Sequence, residues 1–438
     1  MRRFALPLAL FLFLAPVRGQ DARFIPLGDF PGGSTVSIGY GVSPGGHVAV
    51  GQSNSANGPE AFRWRDGMME GLGDLPGSIF ASGAWAASSD GSVIVGRGTA
   101  ASGFQAFRWE NGVMTGLGAL AVEAYDVTPD GAVVVGQAGS SPVRAFRWEG
   151  GALQVLPDLP GGDTSAVAYS VSADGRIVVG YSFGPDGRRA VRWVDGAVED
   201  LGVPAGFTTH GYDISADGRT VVGQAYSSTE TAAFVWEEGQ GMRLIPPLPG
   251  STYREARSVS GDGHVVAGVA GPPYFGVFVW TEETGTRLLE DVLKENGLDL
   301  TGWSLGAVLS QALSSDGRVV VGQGHNPQGQ WEGWMAVLPP WPVTSEPEPP
   351  PASALTLSAN PNPARARTTV RLALPNAAPA HVALYDVLGK AVAVLHDSPL
   401  AAGAHALPLD ASGLPPGVYF VRAEAAGVAV TRPLTVLR

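Results

Sequence analysis

The chain has 438 residues, 45% of them hydrophobic, and a net charge of −12, enough apolar material for a buried core and too much for a disordered chain. The negative balance argues against nucleic acid or an anionic membrane surface as partner, because both require a positive face. The 61 glycines and 35 prolines exceed a fifth of the residues without a collagen period, which predicts many tight turns between short strands, and the absence of cysteine excludes disulfides, thiolate metal sites and a lipidated cysteine.

The first stretch, "MRRFALPLALFLFLAPVRGQ", places two arginines before an apolar run and ends in small residues, so residues 1–19 are expected to be an export signal cleaved between Gly19 and Gln20. No later stretch approaches the ~18 apolar residues of a membrane-spanning helix, so no transmembrane segment is expected.

From residue 20 to 340 the chain repeats. "S-x-D-G-x-x-V-V-G" strings carry Asp90, Asp130, Asp174, Asp217, Asp262 and Asp316, while "SPGGHVAVG" has Gly45 in place of the Asp. "AFRW"-like strings end at Trp64, Trp109, Trp148, Trp193, Trp236, Trp280 and Trp334, with 18 or 19 residues from each Asp to its Trp. Seven units at this period are an architectural signal. In one unit, alternation and β-branched residues predict strands at 166–172, 176–182, 188–194 and 197–203, joined by two-residue turns at Asp174-Gly175 and Asp195-Gly196. Such a sheet cannot bury both faces alone, so radial stacking is expected. Because the last unit stops after its third strand while residues 24–29 read as a fourth, these segments should pair and close a ring. The fold class is therefore all-β: a seven-bladed β-propeller and, after it, a small Ig-like antiparallel sandwich.

These motifs resemble the HAF repeat of bacterial extracellular proteins over residues 24–340, although Glu60, Gln105, Arg144, Arg189, Ala232 and Gly276 stand where that family has its histidine. The resemblance implies an extracellular location and no particular activity. The last unit carries an insertion at 288–306, with a short helix expected over 287–296.

Residues 341–354 are a proline-rich, acidic linker. From 355 to 438 the pattern is six alternating strands, a small β-sandwich. Residues 21–344 hold 18 basic and 34 acidic side chains, a net −16, so the acidity lies in the repeats. The tail, with "ANPNPA" carrying Asn360, Pro361, Asn362 and Pro363, "VALYDVLGK" carrying Tyr385 and Gly389, "PPGVYFVRA" carrying Gly417 and Tyr419, and the closing "PLTVLR", resembles the type A C-terminal sorting domain of the type IX secretion system of Bacteroidetes-like bacteria. That resemblance implies recognition by the type IX machinery, removal of the tail by a sortase-like peptidase, and release or attachment at the outer cell surface.

Which residues carry chemistry? One acid repeated in six successive units suits turns rather than a single catalytic pocket, so the Asp and Trp series is assigned to the scaffold. No EF-hand string accompanies the Asp-Gly loops, and His47, His210, His264 and His325 lack ligand spacing and are expected in turns or at the surface, so no metal and no cofactor is expected. "GYSFG" (180–184) lies inside a repeated strand, the wrong place for a nucleophile elbow. Arg63, Arg108, Arg147 and Arg192 are expected between neighbouring units. No catalytic residue is assigned: the expected function is a secreted or cell-surface, non-catalytic binding, adhesion or structural module whose ligand, a glycan or surface protein, meets the loops at 53–60, 182–189 and 271–276 or the mouth of the central channel. The alternative is a secreted polysaccharide hydrolase or lyase at that mouth, with Glu290, Asp291 and Asp299 of the insertion as its acids.

Overall fold

The computed structural model describes residues 22–437 apart from 78, 274, 309–311, 342–354, 361, 363, 365–366, 375–376, 388, 401–402 and 426–427. Gly19, Gln20, Pro361, Pro363 and nearly all of the linker lie outside the described residues. The chain divides into two compact units after Trp341.

The first unit holds, among the described residues, seven four-stranded antiparallel sheets. The innermost strands are, in chain order, Ser37–Val42, Gly83–Ala87, Ala121–Val127, Ala166–Val171, Thr208–Ile214, Arg254–Val259 and Ser304–Ala307. In the fourth sheet the remaining strands are Ile177–Gly184, Gly187–Val194 and Ala197–Asp200. Its last hairpin turns on Asp195 and Gly196, both with positive φ (49° and 85°), the two-residue geometry that Asp-Gly favours. The Asp174-Gly175 turn departs from the expected two-residue hairpin. Only Gly175 has positive φ (73°), and the chain closes through Gly175 N–H to Ser172 O (2.9 Å) and Ser172 N–H to Ile177 O (2.8 Å), a longer turn that gives the Asp side chain room to fold back.

Neighbouring sheets pack face to face. Phe62, Phe107, Phe146, Phe234 and Phe278 are completely buried, and the fourth and fifth sheets share a core of Val179, Ala190, Leu201, Ile214, Val221, Phe234 and Trp236. Each buried large side chain contributes roughly 1.5–3 kcal/mol of transfer free energy. Strand Arg23–Pro26 completes the seventh sheet, with Phe24 opposite Ala336 and Pro26 opposite Trp334, and Leu27 N–H reaches Gly333 O (2.9 Å). Leu27, Val42 and Phe62 then share a core with Val319, Val321 and Met335, so the last sheet packs on the first. Sheets stacked around an axis in this manner form a β-propeller.

Among the described residues, the one helix, Leu289–Glu295, lies in the insertion and buries Leu289, Val292 and Leu293. The second unit pairs a three-stranded sheet (Thr356–Asn360, Arg367–Leu374, Gly403–Asp410) with a four-stranded one (Ala391–Leu400, Ala378–Tyr385, Gly417–Ala425, Val428–Val436) around a core that includes Leu372, Val382, Val421 and Leu434.

Candidate functional site: an aromatic funnel on the propeller axis

The second strand of each sheet contains a glycine, such as Gly180, opposite a fault in the inner strand. Ala168 pairs with Gly180 and Ser170 with Val179, leaving Tyr169 as the extra residue of a β-bulge. A Cβ on Gly180 would sit 1.8 Å from Val167 O, so the backbones can approach this closely only at glycine. The same fault recurs at Tyr40, Trp85, Tyr125, Tyr212 and Arg257, opposite Gly51, Gly96, Gly136, Gly223 and Gly268. A bulge re-aims a side chain, and here it turns one residue per inner strand towards the axis. Tyr40, Trp85, Tyr125, Tyr169, Tyr212 and Arg257, with Glu123, line a cavity of about 300 Å³.

The rings touch. Tyr40 and Trp85 have centroids 4.0 Å apart, Tyr125 and Tyr169 5.1 Å, and Tyr169 and Tyr212 5.3 Å, and the Arg257 guanidinium lies 4.4 Å over Tyr212. Glu123 accepts the Tyr125 hydroxyl (3.0 Å) and pairs with Arg97 (3.5 Å), while the Trp85 indole N–H faces the same carboxylate without reaching hydrogen-bond geometry. Burial raises the pKa of Glu123 and those of Tyr125, Tyr169 and Tyr212, which keeps the phenols neutral as both donors and acceptors.

Below the aromatic tier a belt of hydrogen bonds links the inner strands of the third to sixth sheets. Ser170 Oγ lies 3.0 Å from Asp126 Oδ2 and 2.7 Å from Asp213 Oδ1, Ser258 Oγ donates to Asp213 Oδ2 (2.8 Å), and Val171 N–H donates to Asp126 Oδ2 (2.9 Å). A hydroxyl has one proton to donate, so two carboxylates can share Ser170 only if one of them is protonated. Burial, and then the neighbouring Asp213, push Asp126 up to about 8. Under this belt the turns hydrogen-bond to one another around the axis: Ala173 N–H to Ala216 O (3.1 Å), Ala216 to Gly261 (3.0 Å), Gly261 to Ser315 (2.8 Å), Ser315 to Pro44 (2.9 Å) and Ser89 to Pro129 (2.9 Å). Pro44 and Pro129, having no N–H, leave the two gaps. The cavity at this end is only about 80 Å³. The funnel therefore opens at the opposite face, where the inner strands begin and where the second-to-third-strand hairpins within 53–60, 182–189 and 271–276 also lie.

The Asp-Gly acids do not converge on the funnel. Ser172 Oγ donates to Asp174 Oδ1 (2.7 Å) and accepts from Ile177 N–H (3.0 Å), and Asp174 accepts from Arg176 N–H (3.1 Å). Asp90, Asp130, Asp217, Asp262 and Asp316 repeat this network with Ser88, Thr128, Ser215, Ser260 and Ser314. Hydrogen bonds hold the Asp90, Asp130 and Asp174 carboxyls low, Asp90 at about 2 through Ser92 and Ser88. Trp64, Trp109, Trp193, Trp236, Trp280 and Trp334 are buried and Trp148 half-buried. Arg63, Arg108 and Arg147 donate to Gly91, Gly131 and Gly175 carbonyls of the next sheet (3.1, 3.3 and 3.1 Å), and Arg192 reaches Glu238 of the next (3.3 Å).

His210 departs from the surface position expected of it. It is buried on an inner strand, stacked on Tyr181 at 4.7 Å, and burial, then Arg188 and Arg257, pull it down to about 4. His47 and His264 are exposed and His325 is half-buried against Trp331. Ser182 of "GYSFG" is buried mid-strand, accepting Leu159 N–H (3.0 Å). In the insertion, Glu290 pairs with Lys294 (2.5 Å) and Asp299 caps Thr301 (2.9 Å), both away from the axis. Among the described residues no group of three or more His, Asp or Glu side chains could hold a metal.

In the tail, Asn362 clamps the last strand, with Nδ2 donating to Pro433 O and Oδ1 accepting Thr435 N–H (2.9 Å each). Tyr419 is buried with its hydroxyl on Pro415 O (2.8 Å), Gly389 turns at φ 79°, and Tyr385 and Gly417 pair with Phe420 and Val436.

Residues 358–436 match the family of secretion system C-terminal sorting domains. Such a domain implies export by the type IX system and attachment at the cell surface. No curated protein sequence matches the chain. Similar solved structures include TolB from Acinetobacter baumannii (13% identity, 65% of this chain and 78% of that one, TM-score 0.41). Oligogalacturonate lyase from Vibrio parahaemolyticus (12%, 73% and 97%, 0.49) and PorZ, a surface component of the type IX secretion system of Porphyromonas gingivalis (13%, 90% and 56%, 0.36), are others. None of these likenesses bears on activity.

Proposed function

We propose that the chain is a seven-bladed β-propeller, built of HAF-like repeats, made with a cleavable signal and carried to the outer surface by an Ig-like sorting tail that a sortase removes, and that it binds its ligand non-catalytically in the axial funnel. The observation that carries this reading is the bulge. Five of the six described inner strands with this fault spend an unpaired residue and a glycine on aiming an aromatic ring at the axis, which a packing role does not require. Half-buried rings with neutral hydroxyls suit a glycan: sugar C–H faces lie on the rings and the phenols answer the hydroxyls.

The test is calorimetric titration of the full-length protein with glycans and cell-envelope extracts, with the supernatant assayed for products. Saturable binding that Tyr169→Ala weakens, without product release, fits the proposal, whereas binding indifferent to that change removes it. One observation favours a polysaccharide hydrolase or lyase instead: Glu123 is a buried, raised carboxyl at the mouth, the state a general acid needs. Turnover abolished by Glu123→Gln would establish that second reading.

A further inference from the structure

The aromatic surface does not stop at the funnel. From Tyr169 it runs outward between the fourth and fifth sheets, through Tyr181 (6.1 Å from Tyr169) to Phe183 (6.2 Å) and through His210 to Tyr226 (5.8 Å). Tyr181, Phe183 and Tyr226 are half-buried, so each leaves part of its ring accessible. Arg188, opposite Phe183 in the hairpin, lies over this tract, its guanidinium 5.2 Å from both the Tyr181 and the Phe183 rings.

Arg188 has no carboxylate within ion-pair distance among the described residues. Its neighbours all do: Arg189 pairs with Asp186 and Asp200, Arg192 with Glu199 and Glu238, and Arg257 with Glu255. In a repeat region of net charge −16, a half-buried guanidinium without a counter-ion is an exception. His210 beside it offers no negative charge, with its Nε2 3.5 Å from Arg188 Nη1. The guanidinium has a defined setting: the rings of Tyr181 and Phe183 against it, and the phenols of Tyr181 and Tyr169 along the way to the axis.

We propose that this aromatic tract is the outer part of the binding site and takes an acidic oligosaccharide, with pyranose faces on Tyr181, Phe183 and Tyr169 and a sugar carboxylate on Arg188. The inference rests on the funnel being a glycan site and adds the charge of the glycan and the direction in which it lies. Arg pairs with carboxylates by two parallel N–H donors, which makes it the side chain suited to select an acidic sugar from a neutral one.

The experiment titrates the full-length protein with hyaluronan and alginate hexasaccharides as acidic probes and maltohexaose as the neutral one. At least one acidic probe should bind more tightly than maltohexaose, with an affinity that falls as salt rises. Arg188→Gln should weaken the acidic probe about tenfold or more and erase the preference over maltohexaose, Arg188→Lys should restore part of it, and both variants should melt at the wild-type temperature. Equal affinity for acidic and neutral probes, no binding of either acidic probe, or an Arg188→Gln variant that binds like wild type overturns the proposal. If Tyr169→Ala abolishes binding while Arg188→Gln changes nothing, the funnel stands and the acidic ligand falls; if Tyr169→Ala also changes nothing, the funnel falls with it.

Discussion

At Gly180 and Tyr169, two residues on adjacent strands make a single device. The glycine lets the inner strand come close enough to bulge, and the bulge turns the tyrosine to the axis. Gly180→Ala should therefore destabilise the protein by about 1–3 kcal/mol or more, read as a fall in the urea midpoint, and should also disturb the funnel although it does not line it. Asp126 makes a second case. Its native pKa is raised to about 8 from 3.8, so between those values the folded state keeps a proton that the unfolded chain has released. Stability from this group is complete below about pH 4, declines as pH rises towards 8 at up to about 1.4 kcal/mol per unit, and levels off above. Thermal midpoints should accordingly drop from pH 5 to 8, and Asp126→Asn should flatten that slope; an unchanged slope would mean that the belt holds no proton. The funnel was written in the sequence in a form that the motifs hid: Tyr40, Trp85, Tyr125, Tyr169, Tyr212 and Arg257 each lie five residues before the Asp, or Gly45, of the next turn. Residue type varies at that position, and alternation alone cannot show a bulge, which breaks the period of two where it acts. The buried acids one position later, Asp126 and Asp213, were hidden for the same reason.

The strand-turn-strand element explains why the acids recur. A carboxylate, a hydroxyl and two backbone N–H groups satisfy each other in the space of six residues, from Ser172 to Ile177, so the turn is closed before the sheets stack. Ser172→Ala removes the bridge between Asp174 and Ile177 and should cost about 1–2 kcal/mol. Because the fourth and sixth sheets share no partner in this network, adding Ser260→Ala should add a similar amount, measured by chemical denaturation of the double variant. A double-variant loss far from the sum would mean that the turns are coupled around the axis. The sequence placed the strands of the fourth unit to within about three residues, closely at 188–194 against Gly187–Val194 and less so at 197–203 against Ala197–Asp200, since β-branched runs and Gly-containing turns are local signals. The longer form of the Asp174-Gly175 turn was not legible, because it depends on a side chain folding back rather than on the dipeptide.

At the largest scale, the stability of the first unit depends on a contact between its two ends. Strand Arg23–Pro26 lies against Trp334–Val337, and Gly28 N–H reaches Glu332 Oε1 (3.1 Å), a separation of 304 residues. Every other sheet of the first unit is assembled from one continuous stretch of chain, so this one alone carries the loop-closure cost of the ring. Deleting residues 23–30 would strip the outer strand from the seventh sheet, uncover Met335 and Val337, and leave a free β edge beside them, which invites edge-to-edge association. Trp334 would also lose Phe24, whose ring lies 6.0 Å away. The shortened protein should therefore lose its single cooperative thermal transition and elute as oligomers in size-exclusion chromatography. Removing an equally long piece of the insertion, residues 289–296, should lower the melting temperature while preserving one transition, because the helix covers the sixth and seventh sheets without joining the ends of the ring. A sharp, monomeric transition after loss of 23–30 would show that six complete sheets and a three-stranded seventh hold the ring without its closing strand.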